Sequence, residues 1–205
     1  GTWAAHTLNH SVNHEYSNFS MAFLLARSKN FELLEPISQR YLALFPDKNY
    51  DVVTDFIGFY KYPEKREYYL NKFIGHLENN SLNFTARIIV IKVIFEEFAQ
   101  KSNSLVQLVK IETTLSNQLD FLFGNGNPLV IAGRQAYAGM ASFLLTNEQF
   151  KKDYPIQFLK VKALSHLYYN KKFDHLEEDV AIALKQEPQN LMLQKLKKML
   201  DSKRK

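Results

Sequence analysis

Residues 171–190 read KKFDHLEEDVAIALKQEPQN, and residues 29–48 read KNFELLEPISQRYLALFPDK. The two align at a constant offset of 142, Lys29 on Lys171. Phe31 then falls on Phe173, Leu34 on Leu176, Glu35 on Glu177, Leu42 on Leu184 and Pro46 on Pro188, with Glu32 facing Asp174. These are the positions a reused helical hairpin needs. The Phe opens a second helix and packs it on the first, and the Leu three residues on continues that face. The Pro stops the helix, because it has no N–H to donate and clashes with the preceding turn.

Around these stretches the pattern is helical almost throughout. In 173–184 the apolar residues Phe173, Leu176, Val180, Ala183 and Leu184 share one helix face. Pro63, Pro128 and Pro155 suit a first helical turn, and Ser81 and Ser102 read as N-caps. The spacing predicts ten or so helices, about 5–28, 32–44, 48–60, 63–78, 82–101, 103–122, 128–146, 155–170, 173–186 and 190–201. RIIVIKVIF (87–95) is β-branched enough for a strand. Its periodicity runs on through Phe98 without a turn residue, so it reads as a central helix buried on most sides.

Seven Gly and six Pro in 205 residues disfavour a many-turned β fold. The predicted class is all-α, an α–α superhelix or solenoid. No linker or shift in composition marks a boundary, so residues 1–205 read as one helical domain. GNGNP (124–128) is the strongest break, short enough for a helix–helix loop. No apolar run is long enough to span a bilayer. The chain starts at Gly1 without a signal pattern, as expected for a piece or processed form of a longer chain. Cysteine is absent, which excludes disulfides, thiolate metal sites and Cys nucleophiles and leans toward an extracytoplasmic location.

The net charge of +5 suggests nucleic acid until it is located. Residues 185–205 hold seven basic and two acidic side chains, whereas the preceding 184 residues hold nineteen of each. The excess is a C-terminal tail rather than a basic body, so a nucleic-acid partner is not expected.

From Gln157 to Asn190, Tyr168, Phe173, Asp174, Ala183, Leu184, Pro188 and Asn190 fall at one set of spacings. On these residues the chain resembles the tetratricopeptide repeat (TPR) family, helical hairpins of about 34 residues. Leu164 and Leu176 stand where that family has small residues, and Lys160 where it has an early Trp. A second unit starting at Glu15 places Ala22, Phe31 and Pro46, but has Tyr41 at a small position and Pro36 early in its second helix. YAGMASFLLTNEQF (137–150) resembles a first helix without a full second one. The resemblance implies a non-enzymatic scaffold that binds a protein or peptide on the first-helix face. Carried onto 157–190, that face is Phe158, Val161, Ser165, Tyr168 and Tyr169. Val161 and Ser165 replace the Lys and Asn of the family's carboxylate clamp, which implies an apolar or aromatic groove instead. The alternative is a ligand-sensing regulatory domain of a longer regulator or secreted protein.

Other patterns are weaker. His6, His10 and His14 share a helix face at i, i+4 and i+8 and could chelate a metal, although a polar outer face needs nothing more. GNGNPLVIAG lacks the preceding strand of a dinucleotide fingerprint and reads as a turn with Asn127 as cap. Ala132, Gly133, Ala136, Gly139 and Ala141 after it would allow close helix approach. Residues 55–73 interleave Phe56, Phe59, Tyr60, Tyr62, Tyr68, Tyr69 and Phe73 with Lys61, Lys65, Arg66 and Lys72, which could stack bases or sugars but suits interhelical packing. Glu177, Glu178 and Asp179 beside His175 suit a helix N-terminus. Leu193, Leu196 and Leu200 form a stripe opposite basic residues, first a solvating terminal helix and second a membrane-surface or acidic-partner helix. None of this amounts to a catalytic motif, and no cofactor is implied.

Overall fold

A computed structural model describes residues 15–44, 50–79, 82–98, 104–124, 126 and 128–203. Every regular element among them is helical, with twelve α-helices and one 3₁₀ turn. In chain order these are α1 (Glu15–Arg27), α2 (Phe31–Leu44), α3 (Tyr50–Lys61), the 3₁₀ turn Pro63–Lys65, α4 (Arg66–Glu78) and α5 (Phe84–Phe98). They continue as α6 (Leu105–Ser116), α7 (Leu119–Phe123), α8 (Pro128–Leu145), α9 (Glu148–Asp153), α10 (Pro155–Tyr169), α11 (Leu176–Gln186) and α12 (Leu191–Lys203). The chain divides into two compact units, Gly1–Ala99 and Gln100–Lys205. The division falls at the polar run Gln100–Ser104, which the sequence alone presents as a helix junction inside one domain.

Local chemistry explains several of the helix starts. Asn83 Oδ1 accepts from Ala86 N at 2.9 Å and opens α5. Ser104 Oγ accepts from Gln107 N at 3.3 Å and caps α6. Asn147 does the same for α9, and Asn190 for α12. Ser81, Ser102 and Asn127, the caps expected from sequence, lie outside the described residues. The helix expected over 103–122 is broken after Ser116 by a turn through Asn117 and Gln118. α9 is a short helix of 6 residues where no full second helix was expected, and it ends before Pro155.

The two echoed hairpins turn differently. After α1, Lys29 takes the left-handed conformation at φ 56°. Asn30 N donates to Leu25 O at 2.9 Å and Lys29 N to Ala26 O at 3.0 Å, the paired closure that usually employs Gly at this place. Phe31 follows as the first residue of α2. After α10, Asn170 is left-handed at φ 54° and His175 at φ 57°. The segment between them is not helical, so Phe173 precedes α11 by three residues rather than opening it.

In the first unit α1 and α2 pair, and α3 packs on both. α4 packs on α3, and α5 packs on α4 and returns to α1. The return is tied by an ion pair of Arg27 Nη2 with Glu96 Oε1 at 3.0 Å. RIIVIKVIF is helical, as its neighbours predict: Ile88 to Ile91, Val93 and Ile94 are all buried, so α5 is enclosed nearly all round. Phe23, Phe56, Phe59 and Phe73 form the aromatic centre, with ring centroids 5.1 to 5.4 Å apart along the chain of contacts. α3 and α4 approach closely at Gly58, where a Cβ would stand 2.0 Å from Tyr69 Cζ.

In the second unit α8 packs on α10 and α10 on α12. α9 sits against α8 and α10, and α11 against α10 and α12. Each helix of this ladder touches its neighbours in sequence. Leu159, Ala163, Leu176, Val180, Leu193, Leu196 and Leu200 form one apolar cluster through α10, α11 and α12, with Phe173 packed against it. The stripe of α12 is therefore spent inside the unit.

Candidate interaction site in the second unit

The five face residues expected from the repeat resemblance do not share one surface. Val161 and Ser165 are buried in α10, so neither faces an open groove. Ser165 Oγ makes no hydrogen bond. The cause is the ladder itself: α8, α9, α11 and α12 all pack on α10.

Tyr168 and Tyr169 are half-buried at the end of α10. The Phe123 ring lies 4.9 Å from Tyr168 and 5.3 Å from Tyr169, and Tyr137 stacks on Tyr169 at 6.1 Å. Tyr168 donates to Asp120 Oδ1, and Tyr169 to Arg134 O at 2.7 Å. Burial, then the Asp120 carboxylate, pushes the Tyr168 hydroxyl up to about 12. Arg134 lies over Phe123 and donates from Nε to Leu122 O at 2.5 Å and from Nη2 to Phe123 O at 3.3 Å, closing the end of α7. These aromatics hold α7, α8 and α10 together.

Phe158 lines a cavity, one of 440 Å³ where α10 begins and α11 ends. Pro155, Ile156, Leu159 and Ala183 complete its apolar wall. Lys162 and Asp179, paired at 3.1 Å, cross it, with Lys151 and Glu187 also on its lining. Phe31 and Phe173 each line a further cavity, of 250 and 360 Å³. Leu34 and Glu35 accompany the first, Leu176 and Glu177 the second, the same echoed positions. An ammonium stands near each ring, Lys61 at 5.9 Å and Lys162 at 5.7 Å.

Charged side chains that periodicity treats as surface turn out to be buried. In the second unit Lys160 Nζ lies 2.5 Å from Glu112 Oε2, with side chains 7% and 0% exposed. The contact is ionic rather than an aligned hydrogen bond. Tyr137 donates to Glu112 Oε1 at 2.9 Å. Burial pushes the Glu112 carboxyl above its ordinary range in spite of the ammonium beside it. In the first unit the buried Asp55 accepts from Lys72 Nζ at 2.7 Å and meets His76 Nε2 at 2.8 Å. The Asp55 bond pushes the Lys72 ammonium up. Arg66 Nε donates to the buried Glu97 at 2.6 Å. The signal was in the sequence: Glu112 falls in register with Leu108, Ile111 and Leu115, and Lys160 between Leu159 and Val161.

The remaining candidates separate. Of the aromatics interleaved with basic residues, Phe56, Phe59 and Phe73 are core, while Tyr62 and Tyr68 are exposed beside Lys61, Lys65 and Lys72. In the small-residue run, Gly133 makes room for Leu122 and Ala141 is buried, whereas Gly139 and Ala132 are exposed. His6, His10 and His14 lie outside the described residues, among which no group of three or more His, Asp or Glu is placed to hold a metal. No helix among the described residues is long and apolar enough to cross a membrane. Compared with known proteins, the chain matches no family model, no curated protein and no solved structure.

Proposed function

We propose that the second unit is a TPR-like helical-repeat module that binds a protein or peptide segment without catalysing a reaction. The succession α8, α10, α12, with α9 and α11 between them, supports a repeat stack. The observation that carries the reading is the cavity at Phe158. Its wall is apolar, and its charged groups Lys151, Lys162, Asp179 and Glu187 carry both signs, which suits a segment with one apolar anchor between polar neighbours. Selection of binding peptides from a random display library on the purified chain tests it. Enriched peptides should lose at least tenfold in affinity with Phe158→Ala or Ala183→Glu. A library that yields no binder, or binders indifferent to both variants, overturns it.

A second reading, small-ligand sensing within a longer regulator or secreted protein, rests on the volume of that cavity. At 440 Å³ it falls within the range of about 300–1,000 Å³ usual for ligand pockets. A thermal-shift screen with small metabolites separates the two. A stabilising compound whose effect disappears with Phe158→Ala favours sensing.

A further inference from the structure

Lys160 is a lysine inside the ladder, and everything that receives its ammonium comes from α6. Beside its ion pair with Glu112 Oε2, it donates hydrogen bonds to Ser116 Oγ at 3.2 Å and to Thr113 Oγ1 at 3.4 Å. An ammonium has three N–H donors, and three oxygens stand around it. Two of the α6 receivers are themselves held. Tyr137 on α8 fixes Glu112 from its other oxygen, and Ser116 Oγ donates to Thr113 O at 2.9 Å. Around this point the helix faces are apolar: Leu108, Ile111 and Leu115 on α6, Leu159, Val161, Ala163 and Leu164 on α10.

Apolar contact is nearly indifferent to sliding by one turn, because another apolar row then meets the partner. A buried ammonium is not indifferent. Sliding α6 by one turn, about 5.4 Å, would bring Leu108 or Ser116 to the place of Glu112 and leave the charge without a carboxylate. Buried pairs of this kind add little net stability over well-packed apolar residues of the same volume, and their best-attested use is to fix register.

We propose that Lys160 and the acceptor set Glu112, Thr113 and Ser116 form a register lock that admits α6 to the α8–α10 ladder in a single alignment. The lock governs which packing forms rather than how strongly it is held, and it stands independently of what the cavity at Phe158 binds.

The chain has no cysteine, so introduced thiols are its only ones. Spin labels at Val106→Cys on α6 and Phe143→Cys on α8, both exposed positions, report the alignment as a distance distribution. The parent should give one narrow peak. Lys160→Met with Glu112→Leu should remain folded, while its distribution broadens or gains a second peak shifted by several ångströms. A single unshifted peak in that folded variant overturns the lock. Should it not fold, Lys160→Gln with Glu112→Gln keeps the side-chain lengths and removes both charges. Broadening then supports the lock, and an unchanged peak overturns it.

Discussion

The two units share one kind of hairpin, early in the first and late in the second, and they pack differently around it. In the first, α5 comes back to α1 and the helices close on one another. In the second, α8, α10 and α12 follow one another, and among the described residues α12 packs on α10 and α11. The difference lies in where the apolar surface sits. α5 is apolar on nearly all faces, so it can be stable only when surrounded, and it draws α1 and α4 around it. α12 carries a narrow stripe, Leu193, Leu196 and Leu200, with lysines elsewhere, and so it ends a stack. A shared hairpin therefore does not dictate a shared architecture; the apolar faces of the other helices in its unit do.

The largest effect is expected at the buried pair. Lys160→Met leaves Glu112 enclosed without its counter-charge and should cost the second unit about 3–5 kcal/mol near neutral pH. The loss should show in α6 and α10 amide exchange, with the first unit unaffected. Because the Glu112 carboxyl already sits above its ordinary range, protonation relieves the strain in the variant, and the deficit should shrink as pH falls. A deficit independent of pH would mean the carboxylate is not what is left unpaired.

In the first unit the corresponding break is steric. Gly58→Ala puts a methyl onto the Tyr69 ring and should cost about 1–3 kcal/mol by overpacking. Tyr69→Ala in the same chain should remove the clash, so that adding Gly58→Ala costs less than it does alone. Denaturant unfolding of the four chains measures this coupling.

These two positions also mark what could be read without coordinates. The helical class was legible because apolar periodicity and the proline positions record local structure. The enclosed α5 was legible because an all-round apolar helix has few alternatives. The division into two units was not, since it involves no change in composition, only a choice of which apolar faces meet. Lys160 illustrates the same limit. At its place the family resemblance has Trp, and only the neighbouring α6 explains why a lysine can stand there. The first-helix face failed for a related reason: Val161 and Ser165 would be a groove floor on an isolated hairpin, but the ladder covers them.

The echo itself can be tested more gently. Phe31→Ala and Phe173→Ala remove half-buried rings and should each cost about 2 kcal/mol in their own unit. Equal losses would mean the two rings serve one role despite the different turns. A much smaller loss at Phe173, which precedes its helix, would mean the echo survives in sequence after its packing role has lapsed.

The smallest effect belongs to Tyr60, whose hydroxyl is buried without a hydrogen bond. Burial, then the Glu96 carboxylate, pushes it up to about 12 from 10.0. A hydroxyl whose folded value is raised favours the fold below its unfolded value and loses that contribution as pH climbs through the folded one. The first unit should therefore weaken between about pH 10 and pH 12 as Tyr60 ionises. Tyr60→Phe removes both the unpaired hydroxyl and the titration. It should change stability at neutral pH by less than about 1 kcal/mol, in the stabilising direction, because an orphaned polar group is lost and no bond with it. It should also flatten the alkaline decline of the first unit relative to the second, where Tyr168 still titrates against Asp120. Amide exchange followed from pH 9 upward, unit by unit, distinguishes the two. A decline in the first unit that persists in Tyr60→Phe would place the sensitive group elsewhere, with the Lys72–Asp55 contact the next to examine.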